Sequence, residues 1–276
     1  MVAHRFDTPA PVHLHVEIDK GSVRVVAIDT AETIVEIVGR DAEQVRVQQD
    51  GERISVVGPR QHGGFFGMGA GFDVVVTLPA GSEVAARTGS ADIMVAGSVT
   101  DGHLRSGSGD IEVETATGIL VLETGSGDIR VETAGGDMKA PSGSGDVRVG
   151  AAGTALRIST GSGDVELGIT QGPVEVKTGS GDIRVAEAGG DAMLRTASGD
   201  FVVDRVRCGR MTVEGASGDA HFGVVSGIPV WTDVSTVTGE IRSTLRGAGQ
   251  PQDGADHVEI RARLVNGDIV LTEVGA

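Results

Sequence analysis

Apolar and charged residues alternate along most of the chain with a period of two. In "GDIEVE", from Gly109, Ile111 and Val113 flank Glu112, and in "GDIRVE", from Gly127, Ile129 and Val131 flank Arg130. Val147 and Val149, Val165 and Leu167, Ile183 and Val185, and Phe201 and Val203 continue the pattern. Apolar, charged, apolar is the signature of a strand with one face in a core and the other in water. A second short strand precedes each of these. Leu104, Leu122, Ala140, Ile158, Val176, Leu194 and Val213 mark one inward position, and Ser106, Thr124, Ser142, Thr160, Thr178 and Thr196 mark the next. Two residues further on stands serine, at Ser90, Ser108, Ser126, Ser144, Ser162, Ser180, Ser198 and Ser217. Strict alternation places these serines on the inward face as well. No segment carries an amphipathic helical period long enough to compete.

The two strands are joined by Gly-Ser-Gly-Asp or a close variant. Its Asp falls at Asp92, Asp110, Asp128, Asp146, Asp164, Asp182 and Asp200 in steps of 18, then at Asp219 after 19, with looser echoes at Glu240 and Asp268. A fixed period near 20 residues is the mark of stacked repeats, each too small to bury a core without its neighbours. The fold class expected is all-β, a single parallel β-solenoid with 18-residue coils. Glycine is expected to supply backbone angles closed to other residues, and Asp to accept amides of its own turn. Residues 1–82 hold strand-like runs without the phrase, including a hairpin signal at Asp50-Gly51, and read as irregular first coils or a cap. Residues 83–244 form the regular stack, and 245–276 a loop with capping strands, all in one continuous domain.

Composition sharpens this picture. Glycine makes up 44 of 276 residues, which suits frequent turns, and aromatic residues only 3%, with one Trp and no Tyr, which suits thin aliphatic layers. The net charge of −16 argues against nucleic acid and against anionic lipid, both of which are held by Lys and Arg. A single cysteine, Cys208, excludes an intrachain disulfide framework. The N-terminal "MVAHRFDTPAPVHLHV" lacks the apolar stretch of a signal peptide, and no apolar run is long enough to form a transmembrane helix. The expected location is the cytoplasm, with envelope association through a partner.

The "GSGDIxV" phrase, its 18-residue step and the segment "FDVVVTLPAGSEVAARTGSADIMV" from Phe72 resemble a bacterial family of unknown function with β-strand repeats. Its members are called adhesins by analogy. The resemblance covers nearly the whole chain. It implies a parallel β-helix of right-handed sense and no established activity. This chain departs from the adhesin label in lacking an export signal and exposed aromatics for gripping sugars.

Several residue sets could carry chemistry. The ladder of Asp110, Asp128, Asp146, Asp164 and Asp182 could bind calcium between coils, although Asp directly follows Gly here and the second half-coil mostly lacks Asp, Asp137 and Asp191 excepted. The alternative is a corner in which Asp secures backbone amides. Paired carboxylates on one face could serve a carbohydrate-active hydrolase or lyase, but a uniform ladder with minimal turns lacks the walls of such a site. His13, His15 and Glu17 on alternate positions could hold a metal or simply face water. Phe65, Phe66, Met68 and Phe72, in a glycine-rich stretch, are the candidate interaction patch. Cys208 sits at a turn with no support for a redox role. The function expected is a non-enzymatic binding or assembly scaffold without a cofactor, whose partner is another protein or a second copy.

Overall fold

The computed structural model describes residues 1–59, 71–246 and 257–275. Among these the regular structure is β-strand throughout, apart from one 3-10 turn at Ala42–Gln44. The chain divides into two compact units, Met1–Pro141 and Ser142–Ala276.

The first unit contains two sheets. One runs in the order Val2–Asp7, Glu32–Val38, Phe72–Pro79, Gly21–Ile28, Asp92–Val99, Ile111–Ala116, Ile129–Ala134. The other runs Arg46–Asp50, Arg53–Val57, His13–Ile18, Glu83–Thr88, Gly102–Ser106, Leu120–Thr124, Met138–Pro141. The alternating positions do what the pattern predicts. Ile111 stands beside Ile129 and Val113 beside Val131 in parallel register, all buried, while Arg130 faces water. On the second sheet Leu104 stands beside Leu122 in the same way. Stacking like on like removes both side chains from water, worth roughly 1.5–3 kcal/mol for each fully buried Val, Leu or Ile.

Of two features of this unit, the sequence signalled the first in part, through the Asp50-Gly51 hairpin, and did not signal the second. Its far edges are antiparallel: Val2–Asp7 and Phe72–Pro79 both run against Glu32–Val38, and Arg46–Asp50 runs against Arg53–Val57. The strands also leave chain order. His13–Ile18 lies between Arg53–Val57 and Glu83–Thr88, and Gly21–Ile28 between Phe72–Pro79 and Asp92–Val99. Both strands alternate fully, with Leu14, Val16, Val23 and Val25 buried, and each has a parallel neighbour on both sides.

In the second unit the pairings are parallel. One sheet runs Val147–Ala152, Val165–Thr170, Ile183–Ala188, Phe201–Val206, Ala220–Val225, Ile269–Val274, Ile241–Ser243. The other runs Leu156–Thr160, Val174–Ser180, Ala192–Ser198, Gly209–Ser217, Val258–Asn266, Val230–Thr238. Val149, Leu167, Val185, Val203, Phe222 and Leu271 follow one another as a buried row. Here too chain order is broken, because Val258–Asn266 and Ile269–Val274 slot inside Val230–Thr238 and Ile241–Ser243.

Candidate functional site

The repeated phrase builds a corner, and its hydrogen bonds differ from those the alternation suggests. The serines expected inward, Ser108, Ser126 and Ser162 among them, are exposed. The inward hydroxyl belongs to the residue two places earlier. Thr124 ends its strand buried, its Oγ1 accepting from the Gly127 N–H at 3.0 Å and donating to the Gly109 carbonyl of the preceding coil at 3.2 Å. Thr160 repeats this with Gly163 and Gly145 at 3.1 and 3.3 Å, and Ser106 with Gly109 and Ala91 at 2.8 and 3.2 Å. The strands ending at Ser106, Thr124 and Thr160 stop at this hydroxyl, so a period of two has no hold on the serine beyond it; Val174–Ser180 and Ala192–Ser198 run on to the serine, and it is exposed there too.

Glycine in this corner answers to crowding. At Gly127 a Cβ would lie 2.2 Å from the Gly109 carbonyl oxygen, inside any allowed contact. Positive φ, the reason expected from the sequence, does not apply at Gly127, but it does at the equivalent Gly199, Gly218 and Gly267, with φ of 146°, 136° and 138°.

Asp also differs from expectation: its carboxylate reaches along the stack, not into its own turn. In the first unit Asp92 Oδ1 accepts the Asp110 N–H at 3.0 Å, and Asp110 Oδ1 accepts the Asp128 N–H at 2.8 Å. In the second the series runs through Asp146, Asp164, Asp182, Asp200, Asp219 and Asp268, each Oδ1 taking the next coil's amide at 2.8 to 3.0 Å. It ends where Asp268 Oδ1 accepts the Glu240 N–H at 2.8 Å. Each link is a charge-assisted hydrogen bond, which offsets the mutual repulsion of stacked carboxylates. Of Arg130, Arg148 and Arg184, each two residues after a ladder Asp, Arg148 reaches Asp146 at 3.0 Å. Arg130 pairs with Glu112 and Arg184 with Asp204, both at 2.8 Å.

Those pairs belong to the outer faces, where charges answer one another from coil to coil. Arg157 meets Glu175 at 2.9 Å, Arg195 meets Glu214 at 2.9 Å, and Arg105 pairs with Glu123. Hydrogen bonds from Arg207 hold the Glu187 carboxyl below its usual range, Arg210 does the same for Glu259, and Lys177 with Arg157 for Glu175.

A depression on the surface of the first unit has a volume of about 490 Å³. His13, His15, Arg53, Glu83, Asp101 and His103 line it. Ala85 lies between His15 and His103 in register and leaves the gap. His13 Nδ1 lies 2.6 Å from Glu83, and His15 Nε2 lies 4.0 Å from Glu17. Sequence reasoning found His13, His15 and Glu17 but missed Arg53, Glu83, Asp101 and His103. Only the out-of-order placement of His13–Ile18 gathers them, and no local pattern announces it.

Among the described residues no group of three or more His, Cys, Asp or Glu is arranged to hold a metal ion. That covers His13, His15 and Glu17, as well as Asp110, Asp128, Asp146, Asp164 and Asp182. Phe65, Phe66 and Met68 lie outside the described residues. Phe72 opens the strand Phe72–Pro79 and is buried at 4% exposure, so it belongs to the core and not to an exposed patch. Cys208 is half-buried, its Sγ 3.1 Å from the Gly189 carbonyl oxygen. No helix of the described residues is long and apolar enough to cross a membrane.

Among solved structures, the chain is similar to a candidate adhesin from Bacteroides fragilis, with 13% identity over 99% of this chain and 96% of that one and a TM-score of 0.37. A candidate adhesin from Parabacteroides distasonis has 13% identity over 99% and 96%, with a TM-score of 0.33. A candidate cell-adhesion protein from Clostridium sporogenes has 9% identity over 99% of both chains, with a TM-score of 0.22. No curated protein matches the sequence. The family profile of Toastrack DUF4097 matches residues 13–272. That span takes in most of each all-β unit and every copy of the corner phrase, and the chain belongs to the Toastrack DUF4097 family.

Proposed function

We propose that the protein is a non-enzymatic scaffold, a right-handed β-solenoid of 18-residue coils, that binds or assembles other molecules through its outer faces in the manner of an adhesin. The observation that carries this is the outer surface itself, where rows of opposite charges such as Glu112–Arg130 and Arg157–Glu175 run from coil to coil. Such a surface presents a repeating pattern to a repeating partner. A glycoside hydrolase needs one carboxyl pushed up to act as an acid. Glu175, Glu187 and Glu259 are instead shifted down by their cationic neighbours. The Asp ladder is occupied with backbone amides. The Phe65, Phe66 and Met68 stretch is proposed, from sequence alone, as a further contact with a partner.

The test is to pass the immobilised chain over polysaccharides and cell-envelope fractions while assaying for new reducing or unsaturated ends. Saturable binding without product is expected. Catalytic release of sugar ends would establish the carbohydrate-active alternative in its place.

A further inference from the structure

At one end of the second unit two strands pair on a single side among the described residues. Val230–Thr238 meets only Val258–Asn266, and Ile241–Ser243 meets only Ile269–Val274. Their inward side chains are only partly covered. Ile241 is 47% exposed, whereas Ile269 beside it is fully buried. On the outward side Trp231 is 53% and Val237 78% exposed. Proteins blunt such edges with Lys, Pro or a polar strand. The first unit does so, ending in the antiparallel strand Arg46–Asp50 (RVQQD) and in Val2–Asp7, where Arg5 pairs with Glu32. Val230–Thr238 (VWTDVSTVT) carries Asp233 as its one charge and no Lys or Pro.

We propose that this edge docks against the same edge of a second copy of the chain, about a two-fold axis through Val234. A two-fold interface must be complementary to itself, and this strand is. Reversed against itself about Val234, it sets Trp231 opposite Val237, Thr232 opposite Thr236 and Asp233 opposite Ser235. Apolar faces apolar, β-branched faces β-branched, and a carboxylate faces a hydroxyl. A slip of one residue would put Trp231 against Thr238 and Thr232 against Val237, losing the match. The backbone agrees. Val258 N–H donates to the Pro229 carbonyl at 3.0 Å. Alternate residues of a parallel ladder point their backbone groups to opposite sides, so those of Thr232, Val234 and Thr236 face the open edge. They are the groups that an antiparallel partner centred on Val234 would bond. On the other sheet Glu240 and Arg242 flank Ile241 with opposite charges, so that strand is self-complementary too. A head-to-tail partner would have to offer a matching open parallel edge, and the polar antiparallel strands of the first unit do not.

This deepens the assembly side of the proposed scaffold without depending on what the outer faces bind. Sedimentation equilibrium of the full chain at tens of micromolar should give twice the 28.1 kDa chain mass. A wild-type monomer overturns the proposal. Trp231→Lys should weaken association at least tenfold, and adding Val237→Glu to the same chain should restore it, because each Lys then faces a Glu. Circular dichroism melting confirms that each variant is folded. A dimer indifferent to Trp231→Lys, or a folded double variant that stays monomeric, overturns the interface. In a Cys208→Ser background, Val234→Cys should cross-link to itself on oxidation, and failure to do so in a dimer overturns the register. The Trp231→Lys monomer should still bind whatever the wild-type outer faces bind, which separates this test from that of the scaffold itself.

Discussion

Thr124 is where the corner depends most on one side chain. Thr124→Val keeps the shape but strands the Gly127 N–H and the Gly109 carbonyl in a buried setting, and each such group costs about 1–3 kcal/mol. Thr124→Ser should retain most of the stability, and Ser126→Ala should change it by less than about 0.5 kcal/mol, since Ser126 is exposed. Urea denaturation of the three variants checks the order, and equal losses from Thr124→Val and Ser126→Ala would refute the corner geometry. Gly127→Val should be severe, because the added carbons would meet the Gly109 carbonyl. Asp110→Asn should be tolerated, as an amide oxygen can still accept the Asp128 N–H. Val131→Asp should prevent folding by placing a charge among aliphatics, while Arg130→Ala should cost less than about 1 kcal/mol. Val131 and Arg130 were legible from alternation alone. Ser126 was not, because alternation ends where the strand ends, and nothing in "TGSGD" marks that point.

Strands as elements were nearly all visible in the sequence, because each carries its own period of two. Their order was visible only where the phrase repeats. Between Ile111 and Val203 an identical spacing can be satisfied only by neighbours in sequence. His13–Ile18 has no such phrase and Val258–Asn266 leads into only a loose echo of it at Asp268, and both found positions that only three-dimensional pairing selects. That is why His13 and His15 could be read from the chain while their companions Arg53, Glu83 and His103 could not. The ion pairs that link strands carry a pH signature. Glu187 is held below its usual value of 4.5 first by the hydrogen bond from Arg207. A depressed carboxyl adds stability above its unfolded pKa, and that contribution fades as pH falls through the folded value. Glu187→Gln should therefore be less stable than wild type at neutral pH, by under about 1 kcal/mol for so exposed a pair. The gap should close below pH 4.5, as thermal melts across the pH range can show. A gap that persists in acid would mean the carboxylate's charge contributes nothing.

For the molecule as a whole, a net charge of −16 and long rows of Asp suggest a cation sink, yet one oxygen of each ladder carboxylate, Oδ1, is engaged by the amide of the next coil. Millimolar calcium should leave the melting temperature unchanged. A calcium-dependent rise, abolished by changing Asp146, Asp164 and Asp182 together to Ala, would show an ion held between coils, since a ligand specific to the folded state must stabilise it. The out-of-order strands have a different consequence, one that concerns time. A chain leaving the ribosome presents Val230–Thr238 and Ile241–Ser243 before the strands that hold them exist. Through the middle of the second unit each new coil finds its predecessor already waiting. Residues 230–243 find nothing to pair with until 258–274 have been made and have threaded into place between them and 209–225. His13–Ile18 and Gly21–Ile28 are also early, waiting on Arg53–Val57, Phe72–Pro79, Glu83–Thr88 and Asp92–Val99 to enclose them from both sides. Synthesis therefore encloses the first strands once residue 99 has been made and secures residues 230–243 last, and a pause before residue 258 would leave Trp231 and Val237 on a strand without a partner.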